Sequence, residues 1–332
     1  MTSANQTRYH MGLRLGICEL GRSLSLSTRR YVKAILRVMG LGSGPFRAGE
    51  DTVSGCVKEN VFIPSMAPVI LSCFAGRERY LKVLVPYINE LVKRKLVNEV
   101  HMWDYTRDTK DASFLQKACS HFTILVPNSK ENFADYYKYY RSSRYPDPDT
   151  VLIKCDDDIV YIDVSRFQAF VDARRALKDA LIFSPSIINN PVCGAVQLKR
   201  GILPGFKPED FDMTVDGGRK IHKYFLKSKK LFMKDSFSVD RFSEIPWTME
   251  WRFNINFIAI LGRDFDTLLD SEYLGEDDEA YLGIYAPRYY KRCIYIDMHF
   301  VAAHMAFTSQ RNNGFDETPF LQKYTDLVKN LV

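Results

Sequence analysis

The chain has 332 residues, 46% apolar and 26% charged, enough for one large α/β domain or two smaller ones. Its formal charge of +6 comes from the N-terminus, because residues 1–47 hold eight basic side chains and one acid and leave −1 for the rest. A body without a basic field excludes nucleic acid as its natural partner, and no apolar run approaches the ~20 residues that span a bilayer.

Residues 1–60 read as a basic arm followed by a linker (Gly42-Ser43-Gly44-Pro45), poorly ordered, with peripheral membrane contact as one use for its charge. The folded domain spans 61–332. Val69-Ile70-Leu71 is a strand leading into the small-residue turn Ser72-Cys73-Phe74-Ala75-Gly76-Arg77. Leu81, Leu84, Val85, Ile88, Leu91 and Val92 then recur at helical spacing. A strand over 97–105 ends in Asp104, and a helix (109–120), a strand (122–126) and a tyrosine-rich helix (131–143) follow. The tyrosines of Tyr136-Tyr137-Lys138-Tyr139-Tyr140 pack that helix on the sheet and are a minor substrate-site candidate. After a Pro-Asp turn comes the apolar run Val151-Leu152-Ile153, ending in Asp156, Asp157 and Asp158.

Beyond Asp163 a helix runs to Leu177 and a strand covers 181–183. Residues 189–251 show no clean period and form the substrate-specific region, with Asn189, Asn190, Trp247, Trp251 and Arg252 as acceptor-binding candidates. Strands at 253–261 and 294–302 and a closing helix at 318–332 complete the domain. Alternating strands and helices on short connections predict a largely parallel sheet. Seven cysteines without a C-x-x-C pair argue against a zinc ribbon or a dense disulfide framework.

A solvated charge run would explain three acids alone. Here a buried strand delivers them to its C-terminal edge, where open α/β sheets place ligands. Hard oxygen ligands at such an edge suit Mg²⁺ or Mn²⁺, which usually arrives with phosphates. Two further features add to them. Glu276-Asp277-Asp278-Glu279 opens a helical segment, where capping alone would account for carboxylates. His304 ends the apolar strand 300–303, a place more often filled by a structural histidine.

Lys154-Cys155-Asp156-Asp157-Asp158-Ile159-Val160-Tyr161-Ile162 resembles the metal motif of inverting glycosyltransferases of the GT-A fold, nearest to the β-1,3-galactosyltransferase and Fringe-like group. Asp278-Glu279-Ala280-Tyr281-Leu282-Gly283 is similar to that group's catalytic-base segment, with Glu279 where the family usually has Asp. The resemblance covers 61–332. It implies a GT-A α/β domain that moves a sugar from a nucleotide donor, UDP-linked, to a hydroxyl of a glycan or glycoconjugate with inversion. By the same resemblance Asp156, Asp158 and His304 bind Mn²⁺ or Mg²⁺, and Asp157 lies near the donor ribose or sugar. Ser72, Arg77 and Asp104 bind the nucleotide, and Asp278, or else Glu279, is the base. Relatives work in the Golgi or secretory pathway behind a signal anchor; this chain shows none, which otherwise points to the cytoplasm.

Three rivals stand beside this reading. A D-D-E nucleotidyl or phosphoryl transferase would need a basic track for nucleic acid, and a sugar-nucleotide pyrophosphorylase a Gly-rich loop where only Gly76 stands. An inactive nucleotide-sugar-binding protein would be expected to lose the acids that this chain keeps.

Overall fold

The computed structural model describes residues 67–233, 239–242, 253–329 and 331. The arm and linker of residues 1–60, the predicted start of the domain at 61, and Trp247, Trp251 and Arg252 lie outside these residues.

Nine strands form one mixed sheet among the described residues: β1 (Val69–Ala75), β2 (Glu99–Asp104), β3 (Thr123–Leu125), β4 (Val151–Asp156), β5 (Ile159–Ile162), β6 (Ala180–Ile188), β7 (Val239–Phe242), β8 (Phe257–Leu261) and β9 (Cys293–His304). Their order is β3-β2-β1-β4-β8-β6-β9-β5, with β7 also on β9. The first four strands are mutually parallel, and so are β6 and β9. The expectation of a largely parallel sheet needs correcting at β8, β5 and β7, each antiparallel to its neighbours.

The helices are α1 (Glu78–Lys93), α2 (Thr109–Ala118), α3 (Ala134–Tyr139), α4 (Phe167–Ala176), α5 (Pro191–Lys199), α6 (Val215–Phe232) and α7 (Thr318–Val328), besides shorter turns. In α1 the buried Leu81, Leu84, Val85, Ile88 and Leu91 form the stripe that the spacing predicts, whereas Val92, its sixth member, is exposed. Asp108 caps α2 by accepting the Asp111 N–H, and Asp111 in turn accepts the Glu78 N–H at 2.7 Å, locking the starts of both helices together. The expectation of no regular period over 189–251 fails where the structure forms α5 and α6, the latter kinked at Ser228. β1, β4, β6 and β8 are buried almost throughout, as strands covered on both faces must be.

From β1 the chain moves to β2 on one side, then returns to lay β4 on the other side of β1. That reversal is a topological switch point, and a crevice opens outside the carboxyl ends of β1 and β4.

Candidate active site

A cleft of about 630 Å³ lies at this switch point. The ends of four parallel strands supply its floor: Gly76 and Arg77 follow β1, Tyr105 follows β2, Asp156–Asp158 end β4, and His304 ends β9. Asp278 and Glu279 come from the helical segment 278–290, and Arg311 from the short helix Thr308–Asn312.

The three aspartates have separate partners. Asp156 accepts from the Lys154 ammonium at 2.7 Å and from the Asn256 amide at 3.2 Å. Lys154 is itself buried within β4, over the Phe74 ring and on the Ile255 carbonyl. Asp157 accepts the Gly76 N–H at 3.0 Å and a fork from Arg77. Asp158 sits 2.9 Å from Arg77 Nη2, 3.3 Å from Arg311 Nη1 and 3.5 Å from His304 Nε2. Burial opposes its ionisation, but His304, Arg77 and Arg311 outweigh that and hold the carboxyl well below the usual carboxylate range.

These contacts decide what a divalent cation would meet. Among the described residues no three His, Cys, Asp or Glu side chains converge as a metal group, so Asp156 does not join Asp158 and His304. Asp158 and His304 do meet, and His304 Nδ1 is buried without a hydrogen-bond partner. Seven acidic side chains against five Lys and Arg side chains line the cleft, a formal surplus of two carboxylates. One carboxylate beside one imidazole fits Mn²⁺ better than Mg²⁺, whose protein ligands are carboxylate oxygens with phosphate and water completing the set, and Arg77 and Arg311 already stand on that carboxylate.

Across the cleft, Asp278 accepts a hydrogen bond from the Tyr137 hydroxyl at 2.6 Å. Burial pushes its carboxyl up, against Lys154 and Tyr137. Glu279 accepts from the Asn254 amide. Asp277 is the residue that caps, taking the Ala280 N–H at 2.8 Å. The segment continues through a π turn, Tyr281–Tyr285, of a kind frequent at functional sites. Gly283 is required there, since a Cβ would lie 2.4 Å from the Phe253 carbonyl oxygen.

Arg77, Asp156, Asp157, Asp158, Asp278, Glu279 and His304 therefore share one cleft. Ser72 does not: it is fully buried in β1, its hydroxyl on Tyr140, because strand alternation turns it into the core. Asp104 stands behind the wall, holding Thr106 and Lys130. Asn189 and Asn190 are structural: Asn189 takes a left-handed φ of 61° and bonds the Met305 carbonyl, and Asn190 caps α5. Sequence reasoning did not single out Arg107, Lys130, Phe133, Asn256 or Arg311, all of which line the cleft. Tyr137, from the tyrosine cluster that packs α3 on the sheet and is a minor acceptor-site candidate, reaches the cleft through its hydrogen bond to Asp278. The five described cysteines are buried.

No family model and no curated protein matches this chain. Among solved structures it is similar to a CMP:2-keto-3-deoxy-manno-octonic acid synthetase complexed with CTP, at 11% identity and a TM-score of 0.38, covering 80% of this chain and 99% of that one. It is also similar to a galactosyltransferase, LgtC, in complex with donor and acceptor sugar analogs, at 11% identity and a TM-score of 0.35, covering 78% and 95%. Likeness at this level fixes neither family nor activity.

Proposed function

We propose that the chain is a glycosyltransferase that takes a sugar from a nucleotide diphosphate donor, UDP-linked, and passes it with inversion to a hydroxyl of a glycan or glycoconjugate. One observation carries this reading: a strand-end acidic turn and a separate carboxylate with a raised pKa face the same switch-point cleft. The motif resemblance to GT-A enzymes supports the same assignment.

In this reading Tyr105, Phe133 and Lys130 border the nucleotide, an aromatic and cationic wall suited to a base and its phosphates. Arg77 and Arg311, already gathered at Asp158, supply guanidinium groups for the diphosphate. Asp158 and His304 are the residues that would hold Mn²⁺ or Mg²⁺, whose chemistry there is to neutralise the departing diphosphate. Asp278 takes the proton from the acceptor hydroxyl; a carboxyl raised toward neutrality is a stronger base once ionised. Glu279, whose Oε1 accepts from Asn254, is the second choice.

The test is turnover of a panel of nucleotide sugars by the full chain with Mn²⁺, beside Asp278→Asn. Release of nucleoside diphosphate that the substitution cuts by at least 10²-fold, on the scale of general-base catalysis, supports the reading. Pyrophosphate release from a nucleoside triphosphate and a sugar phosphate, with no diphosphate release, would instead make the chain a nucleotidyltransferase.

A further inference from the structure

Tyr137 connects two walls of the cleft. Phe133, the residue before α3, lines the cleft, and Tyr137 lies one helical turn further on. Its ring is fully buried against Tyr136, at a centroid distance of 4.8 Å, with Phe74 beyond at 6.4 Å. A buried phenol needs an acceptor, and its hydroxyl reaches across 141 residues of sequence to Asp278 Oδ2 at 2.6 Å. Among the described residues Asp278 Oδ1 has no hydrogen-bond partner, and Asp278 lines the cleft. The two oxygens are therefore distinct, one tied to the scaffold and one turned over to ligand.

We propose that Tyr137 is a positioning residue for proton transfer, fixing Asp278 through Oδ2 so that Oδ1 accepts the proton of the acceptor hydroxyl. The inference rests on Asp278 being the base. Burial holds the Tyr137 hydroxyl well above the ordinary tyrosine range, so it remains a donor at any working pH. Besides Tyr137 from α3, the charged or titratable groups around Asp278 are Lys154 and Asp156 from β4, Tyr105 from the end of β2, and Asp277 and Glu279 beside it. Of these, only Tyr137 donates a hydrogen bond to its carboxylate. In the transfer step the acceptor O–H bond breaks and its proton goes to Oδ1. The acceptor oxygen's electron pair forms the new glycosidic bond as the bond from the sugar's anomeric carbon to the diphosphate oxygen breaks, and the diphosphate leaves with the pair of that broken bond.

The experiment is a pH profile of kcat and KM for Tyr137→Phe in the full chain, with nucleotide binding and melting measured alongside. Phenylalanine keeps the ring and deletes the donor. A hydrogen bond to a charged group is worth about one pKa unit or more, so the acid limb of kcat should move up by about one pH unit. The rate then falls roughly tenfold on that limb and recovers at high pH, with donor KM within about twofold. A drop of equal size at every pH, or no change, overturns the proposal. Incorporation of 3-fluorotyrosine at position 137, a stronger donor of nearly the same size, should move the limb downward and serves if the Phe variant does not fold. An unmoved limb in that protein also overturns it. Failure of the underlying reading looks different: Asp278→Asn would then keep its turnover whatever Tyr137 does.

Discussion

Replacing Asp157 by alanine separates a scaffold carboxylate from a donor contact. The motif resemblance sets Asp157 beside the donor ribose or sugar, yet both of its oxygens are taken by protein: the Gly76 N–H on Oδ2, and Arg77 Nε at 3.1 and 3.2 Å on the pair. Its side chain is 4% exposed. It staples the loop after β1 to the turn after β4, across the switch point. Removing one member of a buried ion pair costs about 3–5 kcal/mol. Arg77 is 33% exposed and keeps Asp158 at 2.9 Å, which places the loss at the low end, about 3 kcal/mol. For a domain of this size each kcal/mol lowers Tm by about 2–4 °C, giving a drop of about 6–12 °C. Thermal melting followed by circular dichroism reads this directly, with nucleotide titration performed well below the transition. The expected result is the lowered Tm with nucleotide affinity changed less than tenfold. An unchanged Tm with binding abolished would refute the scaffold role and return Asp157 to the donor.

Two further outcomes follow from the packing. Asp297 is buried, accepts the His299 and Phe300 N–H groups through Oδ1, has no partner on Oδ2, and burial pushes its carboxyl up to about 6. A folded value above the unfolded ~3.9 means that stability is lost as pH rises from about 4 through 6, by about 3 kcal/mol in all. Asp297→Asn should therefore gain about that much relative to the wild type between pH 4 and pH 8 in chemical denaturation, and a pH-independent difference would disprove the linkage. Gly283→Ala drives a Cβ to 2.4 Å from the Phe253 carbonyl oxygen, a clash worth about 1–3 kcal/mol that displaces the segment bearing Asp278. Turnover should fall while nucleotide binding persists, and wild-type turnover in this variant would show that the segment tolerates the shift.

What the sequence disclosed was local. An apolar run ending in three acids announces β4 and its edge, and His304 stands out for the same reason. The switch point depends on strand order, which no single segment encodes. Arg311 and Tyr137 reach their acids across 153 and 141 residues, so neither had a nearby signal. Helix α6 escaped notice because Gly217 and Gly218 are poor helix formers in its first turn and a kink at Ser228 separates Phe232 from the buried Ile221 and Phe225. Asn189 and Asn190 misled because an amide that binds a sugar hydroxyl and one that serves a left-handed turn or a helix cap are the same residue type.

The most direct test of the central claim is titration calorimetry of the full chain with UDP, with and without Mn²⁺, for the wild type and for Asp158→Ala confirmed as folded by circular dichroism. The account predicts binding that requires Mn²⁺ and disappears in the variant. UDP binding that ignores both the metal and Asp158, or no UDP binding by the folded wild type, would contradict it.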